Sequence, residues 1–62
     1  MCEANAYVVR EGKENLILED ITLVRQEDGE LFLRNILGEE KRIKARFKEM
    51  NLTTQRVILE AF

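Results

Sequence analysis

The strongest constraint on the fold is an alternation of apolar and polar residues with a period of two. Ile21 and Leu23 belong to one alternating run, Asp28-Gly29 follows it, and Leu31 and Leu33 resume the alternation. Asp-Gly between two such runs is typical of a β-hairpin with a type I′ turn, because both residues tolerate a positive φ. The pattern therefore predicts an antiparallel hairpin centred on this dipeptide.

The same reasoning predicts strands on either side of the hairpin. A strand from Ala4 to Val9 ends in a turn over residues 10–13, and a short apolar run, Leu16–Leu18, closes at Glu19-Asp20. A bend is predicted over Ile36–Glu39 because it contains Gly38. The last strand is Arg56–Glu60, introduced by a turn over residues 53–55.

Residues 40–52 fit two periods. Ile43, Ala45 and Phe47 alternate with charged residues as in a strand, whereas Ile43, Phe47 and Met50 are also spaced as on a helix face. We predict a strand from about Glu40 to Arg46 and then a single helical turn through Lys48 and Met50. Helix and strand remain open for residues 44–50.

These elements predict an all-β domain spanning residues 1–62, a small SH3-like or partly closed β-barrel. It has about six short antiparallel strands and a one-turn helix before the last strand. Several strands carry apolar residues on both faces, which favours a curled sheet that exposes little of either face to solvent. A chain of 62 residues buries only about 60% of its unfolded surface, so we expect a homodimer to supplement its core.

Composition excludes several functions. The chain has no histidine and no serine, so Ser–His and Cys–His catalytic pairs are impossible, and we expect no enzyme. No glycine-rich loop precedes a helix, and no apolar run reaches the roughly 20 residues that span a bilayer. The net charge of −2 exerts no general attraction on phosphate backbones. No signal segment opens the sequence, and a lone cysteine cannot form a disulfide within one chain. We therefore expect a cytoplasmic protein.

The chain has a single cysteine, Cys2. After removal of Met1, this residue would offer a thiolate and a free amine, a donor set that suits square-planar Ni(II) or Cu(II). One copy supplies half a coordination set, and a twofold axis would supply the rest. The opposing interpretation is an inert thiol that packs as a small hydrophobe.

A basic segment forms the other candidate site. It contains five of the ten cations of the chain: Lys41, Arg42, Lys44, Arg46 and Lys48. On one extended strand the last four would share a face, with Phe47 on the opposite face. Small barrels bind single-stranded RNA through basic grooves with stacking aromatics, so an RNA-binding module is the alternative function. A charged strand also serves as a solvated face that protects a sheet edge.

Four segments together resemble the CooT family of small nickel-binding proteins, which are linked to maturation of nickel carbon monoxide dehydrogenase. They are Met1–Ala4, the hairpin from Ile21 through Gly29, Ile36–Glu39 and Val57–Glu60. The resemblance covers essentially the whole chain, and Cys2 is its most specific element. It implies a homodimer of small barrels with one nickel ion at the interface, ligated by Cys2 of each copy. It also implies a metallochaperone whose partners are a nickel enzyme or its maturation factors. Members of the family have also been labelled predicted RNA-binding proteins.

Overall fold

Six β-strands account for most of the chain in a computed structural model that describes residues 4–62. The strands are β1 (Ala4–Arg10), β2 (Lys13–Glu27), β3 (Glu30–Asn35), β4 (Glu40–Ile43), β5 (Ala45–Asn51) and β6 (Arg56–Ala61). They form one sheet in the order β4-β3-β2-β1-β6-β5. Across this part of the chain no helix is long and apolar enough to cross a membrane. The predicted all-β class and strand number are confirmed.

Two-residue turns with left-handed backbones join the first three strands. Asp28 and Gly29 have φ angles of 45° and 80°, and Glu27 pairs with Glu30 on either side of them. Glu11 and Gly12, with φ angles of 53° and 77°, close the β1–β2 hairpin in the same way. Positive φ at both central residues is the type I′ geometry, whose twist matches that of the flanking strands. The hairpin predicted at Asp28-Gly29 is confirmed.

β2 is one strand of 15 residues, although its sequence reads as two separate runs. Asp20 lies between the runs with a φ of 55°, and the pairing register with β1 shifts between Ala4, Ala6 and Tyr7. Such bulges bend a strand and increase its twist. Residues 13–21 of β2 therefore pair with β1, and residues 21–27 pair with β3.

The sheet curls into a half-barrel whose two edges are consecutive in sequence. β4 and β5 lie at opposite ends of the strand order, and Lys44 alone connects them. β5 contacts β3, and the Phe62 N–H donates to the Lys44 carbonyl at 3.4 Å. All neighbouring strands are antiparallel except β1 and β6, which are parallel. The parallel pair departs from the predicted all-antiparallel arrangement. The chain passes from edge strand β4 to the opposite edge strand β5, and β6 then returns antiparallel to β5 and pairs with β1 in the parallel direction.

The segment with two periods is extended throughout. The strand predicted for residues 40–46 breaks at Lys44, and the positions predicted to form a helical turn belong to β5. The pairing register shifts between Phe47, which faces Leu59, and Glu49, so Met50 faces Val57. This bulge places Phe47 and Met50 on the same side of β5 although they are three residues apart. Pairing with β6 satisfies the backbone N–H and C=O groups that a helical turn would otherwise have paired. A turn over residues 52–55 connects β5 to β6.

The core fills the concave side of the curled sheet. Its members are buried aliphatic side chains from every strand except β4: Ala4, Ala6, Leu18, Ile21, Leu31, Leu33, Ala45, Val57 and Leu59. Small alanines on β1 lie opposite larger residues on β2, since Ala6 pairs with Leu18 and Ala4 with Ile21. The small side chains allow the sheet to close tightly over β1, which is the strand that follows Cys2.

Replacing Gly29 with alanine should destabilise the protein by about 1 kcal/mol, because an L-residue with a Cβ pays that much for a left-handed backbone. No atom lies within 4 Å of the position that the new Cβ would occupy, so the cost is conformational rather than steric. Urea unfolding followed by circular dichroism measures it. Thr53→Ala, in an exposed turn without positive φ, serves as the control. An unchanged urea midpoint for Gly29→Ala would contradict the type I′ assignment.

Candidate functional site

The candidate metal ligand Cys2 lies outside the described residues, and the fold that follows it begins at a firmly held strand. Ala4 is buried and pairs with Ile21. The Asn5 N–H donates to the Gln55 carbonyl at 2.9 Å, and the Asn5 Oδ1 accepts from the Asp20 N–H at 3.2 Å. β1 is therefore tied at its first residues to the strands on both sides. This anchored strand begins at Ala4, two residues after Cys2 in the sequence.

Carboxylates within residues 4–62 form no group of three that could hold a metal ion. Three carboxylates on β2, on β4 and in the loop before β4 are engaged in other contacts. Glu39 accepts from the Asn35 Nδ2 at 2.8 Å, and Glu40 pairs with Arg34 at 3.0 Å. Glu27 lies 3.4 Å from an Arg42 nitrogen. These carboxylates act as partners of arginine and amide groups.

The five candidate basic residues do not share a strand. Lys41 and Arg42 lie on β4, Lys44 lies between the strands, and Arg46 and Lys48 lie on β5. Because β4 and β5 are opposite edges of the sheet, the break at Lys44 divides the basic segment between two edges. The prediction that the last four share one face assumed an unbroken strand.

Arg42 belongs to a cluster around Phe32 on the convex side of the sheet. The guanidinium carbons of Arg25, Arg34 and Arg42 lie 5.8, 5.5 and 5.2 Å from the centre of the Phe32 ring. Each arginine also contacts a carboxylate, and the three carboxylates involved match the three arginine charges. Cation–π contact and ion pairing together stabilise edge strand β4 against β3 and β2. The charge of Arg42 is thus partly compensated.

Arg46 is similarly matched, by Glu60 on the neighbouring strand. Its Nε donates to the Glu60 Oε1 at 2.7 Å. This hydrogen bond, and then the attraction of the Arg46 charge, lower the pKa of the Glu60 carboxyl, and Lys48 lowers it slightly further. Arg46 and Glu60 pair across β5 and β6, whereas Phe47 faces Leu59 on the opposite side. Phe47 is 45% exposed, which leaves its ring accessible at the edge of the sheet.

An open groove on β2 was not foreseen from the sequence. It lies between the first half of β2 and the loop that joins β3 to β4, and it has a volume of about 260 Å³. Its lining residues are Leu16, Ile17, Leu18, Glu19, Asp20, Asn35, Leu37 and Glu39. The sequence signal for it is weak, since Leu16–Leu18 reads as a short apolar run and Ile36–Glu39 as a bend, and neither pattern shows which side chains remain exposed.

Comparison with known proteins identifies a family and a closely similar solved structure. The family model described as "CO dehydrogenase accessory protein CooT" matches residues 1–60. A crystal structure of a candidate CooT from Carboxydothermus hydrogenoformans is 39% identical in sequence. It superposes with a TM-score of 0.89, and the match covers 98% of this chain and 98% of that one. No curated protein matches the chain.

Replacing Glu60 with glutamine should lower the stability of the protein at neutral pH and have less effect in acid. The folded pKa of Glu60 lies below its unfolded value, so its contribution is complete above the unfolded pKa and is lost as pH falls through the folded pKa. Urea midpoints of Glu60→Gln and the parent chain, compared from neutral pH to below about 4, measure this. Glu49→Gln, on the paired strand and without an arginine partner among residues 4–62, is the control. A difference that grows in acid would contradict the pairing.

Proposed function

The chain belongs to the CooT family of CO dehydrogenase accessory proteins, and from that premise we propose that it binds one Ni(II) ion between two copies through the Cys2 thiolate of each. The matched region begins at residue 1 and so includes the only thiol of the chain. This observation carries the proposal. The protein would act as a cytoplasmic metallochaperone that supplies nickel during maturation of CO dehydrogenase, and it would itself catalyse no reaction.

The chemistry of the chain supports a shared site. A cysteine thiolate is a soft ligand, and nitrogen donors from the backbone of Cys2 and Glu3 would complete a flat arrangement that Ni(II) accepts. One chain has one cysteine and no histidine, so it supplies a single soft donor. A twofold axis supplies the second sulfur from the same residue of the other copy. A homodimer also covers apolar surface that so small a domain leaves exposed.

The described fold supports the proposal by holding the strand that follows Cys2. Ala4 and Asn5 are tied by backbone pairing and by the Asn5–Asp20 hydrogen bond, so little conformational freedom is left at that point. A ligand segment attached to a rigid strand loses less entropy when it binds a metal.

Titration of the tag-free apoprotein with Ni(II) should saturate at half an equivalent per chain. Cys2→Ala and Cys2→Ser should both abolish binding, because neither side chain supplies a thiolate. Binding should weaken as pH falls, since protons compete for the sulfur. Calorimetry measures the stoichiometry, sedimentation measures the dimer, and mass spectrometry establishes whether Met1 is present.

Two results would contradict this proposal. Undiminished nickel binding by Cys2→Ala would remove the assigned ligand. Saturation at a full equivalent per chain would show that one copy holds the ion without the other.

A second candidate function, RNA binding, is favoured by one observation. Phe47 is half-exposed on edge strand β5 and is followed by Lys48, so a base could stack on the ring beside a cation. Two observations argue against RNA binding. The guanidinium groups of Arg42 and Arg46 are paired with the carboxylates of Glu27 and Glu60. The net charge of −2 also opposes a phosphate backbone.

Fluorescence anisotropy with a labelled single-stranded oligouridine separates the two functions. On the nickel proposal we expect no saturable binding stronger than about 1 µM at low salt. Stronger binding that falls steeply with salt and is lost when Lys44, Phe47 and Lys48 are replaced with glutamine, alanine and glutamine would establish the RNA function instead. Cys2→Ala should leave RNA binding unchanged in that case.

A further inference from the structure

The groove on β2 exposes large apolar side chains beside an ordered loop. Leu16 is 50% exposed and Leu37 is 79% exposed, and both line the groove. Asn35, which is buried, holds the loop that carries Leu37. Its Oδ1 accepts from the backbone N–H groups of Leu37 and Glu39 at 3.1 and 2.8 Å. Leu37 is thus presented to solvent on a loop that is already fixed, which favours binding because little entropy is lost.

The groove also borders an open strand edge. β2 pairs with β3 only from Ile21 onward, and residues 13–20 have β1 on one side. On the other side, within the described chain, the Ile36 N–H donates to the Asp20 carbonyl at 2.9 Å and no strand pairs with residues 13–20. Extended peptides bind such edges by main-chain hydrogen bonds, and adjoining pockets select their alternate side chains.

The charged residues that line the groove are all acidic. Glu19, Asp20 and Glu39 line it together with apolar residues and Asn35, and no lysine or arginine is among the lining residues. A segment that binds here therefore gains from positive charge. Two copies meeting groove to groove across a twofold axis would instead bring like charges together, which opposes a second copy as the occupant.

We propose that this groove docks an extended segment of a partner protein in which a large apolar side chain lies between lysines or arginines. The apolar side chain packs on Leu16 and Leu37, and the flanking cations face Glu19 and Asp20. The backbone of the segment extends the sheet along residues 15–19 of β2. The proposal goes beyond nickel binding, since it assigns a protein-docking surface that uses neither Cys2 nor a metal.

The probe is a capped seven-residue peptide that alternates lysine and valine around a central leucine, titrated into the isotopically labelled protein. Amide shifts in NMR spectra should map to residues 15–20 and 36–39. Leu37→Ser should weaken binding about tenfold through lost apolar contact. The double variant Glu19→Gln and Asp20→Asn should weaken it about threefold and reduce its salt dependence. Asparagine at position 20 preserves tolerance of the positive φ there.

Leu52→Ser is the matched control, because Leu52 is 70% exposed and does not line the groove. It should leave peptide affinity within about twofold of the parent value. Urea midpoints verify that each variant is folded. A second peptide with glutamate in place of each lysine should not bind.

Three results would overturn the proposal: no saturable binding of the basic peptide, amide shifts that map elsewhere, or equal losses from Leu37→Ser and Leu52→Ser. Conversion of a dimer to a monomer by Leu37→Ser, measured by sedimentation, would also overturn it by showing that a second copy covers the groove. Nickel stoichiometry of Leu37→Ser should remain half an equivalent per chain. The two proposals therefore fail separately.

Discussion

The bend in β2 at Asp20 is the constraint on which the rest of the structure depends. β2 has 15 residues, whereas its neighbours β1 and β3 have 7 and 6, so neither neighbour pairs with its whole length. The left-handed residue at Asp20 and the bulge opposite Asn5 divide the strand between β1 and β3. That division curls the sheet around its core, anchors the first residues of β1 and leaves residues 13–20 open along the groove.

Charge pairing on the convex side determines how the cations of the chain are used. Arginines on β2, β3 and β4 lie around the Phe32 ring with carboxylates beside them, and Arg46 pairs with Glu60 across β5 and β6. Each exposed pair contributes little to stability, but together they stabilise both edge strands of an open sheet. These arginines therefore stabilise the fold, and the lysines are the cations more available to bind a ligand.

Family membership and geometry account for different parts of the proposed function. The match to CO dehydrogenase accessory proteins gives the biological setting, and the single thiol of the chain gives the chemistry on which a nickel site would depend. The structure adds a firmly held strand, which begins two residues after that thiol in the sequence, and a separate acidic groove. An accessory protein that delivers metal needs both a place for the ion and a surface for its client. These two requirements would be met by different parts of this molecule.

The sequence by itself determined the local features, because they depend on neighbours in the chain. Asp28-Gly29 specifies a hairpin through its tolerance of positive φ, and alternation specifies strands. The lone thiol and the missing histidine limit which metal sites can form. Only the tertiary structure decided which strands pair. The break at Lys44 sends β4 and β5 to opposite edges, and the bulge after Phe47 turns an apparent helical spacing into a strand. The charge partners of Arg42 and Arg46 also follow from contacts between residues distant in sequence, which no local pattern encodes.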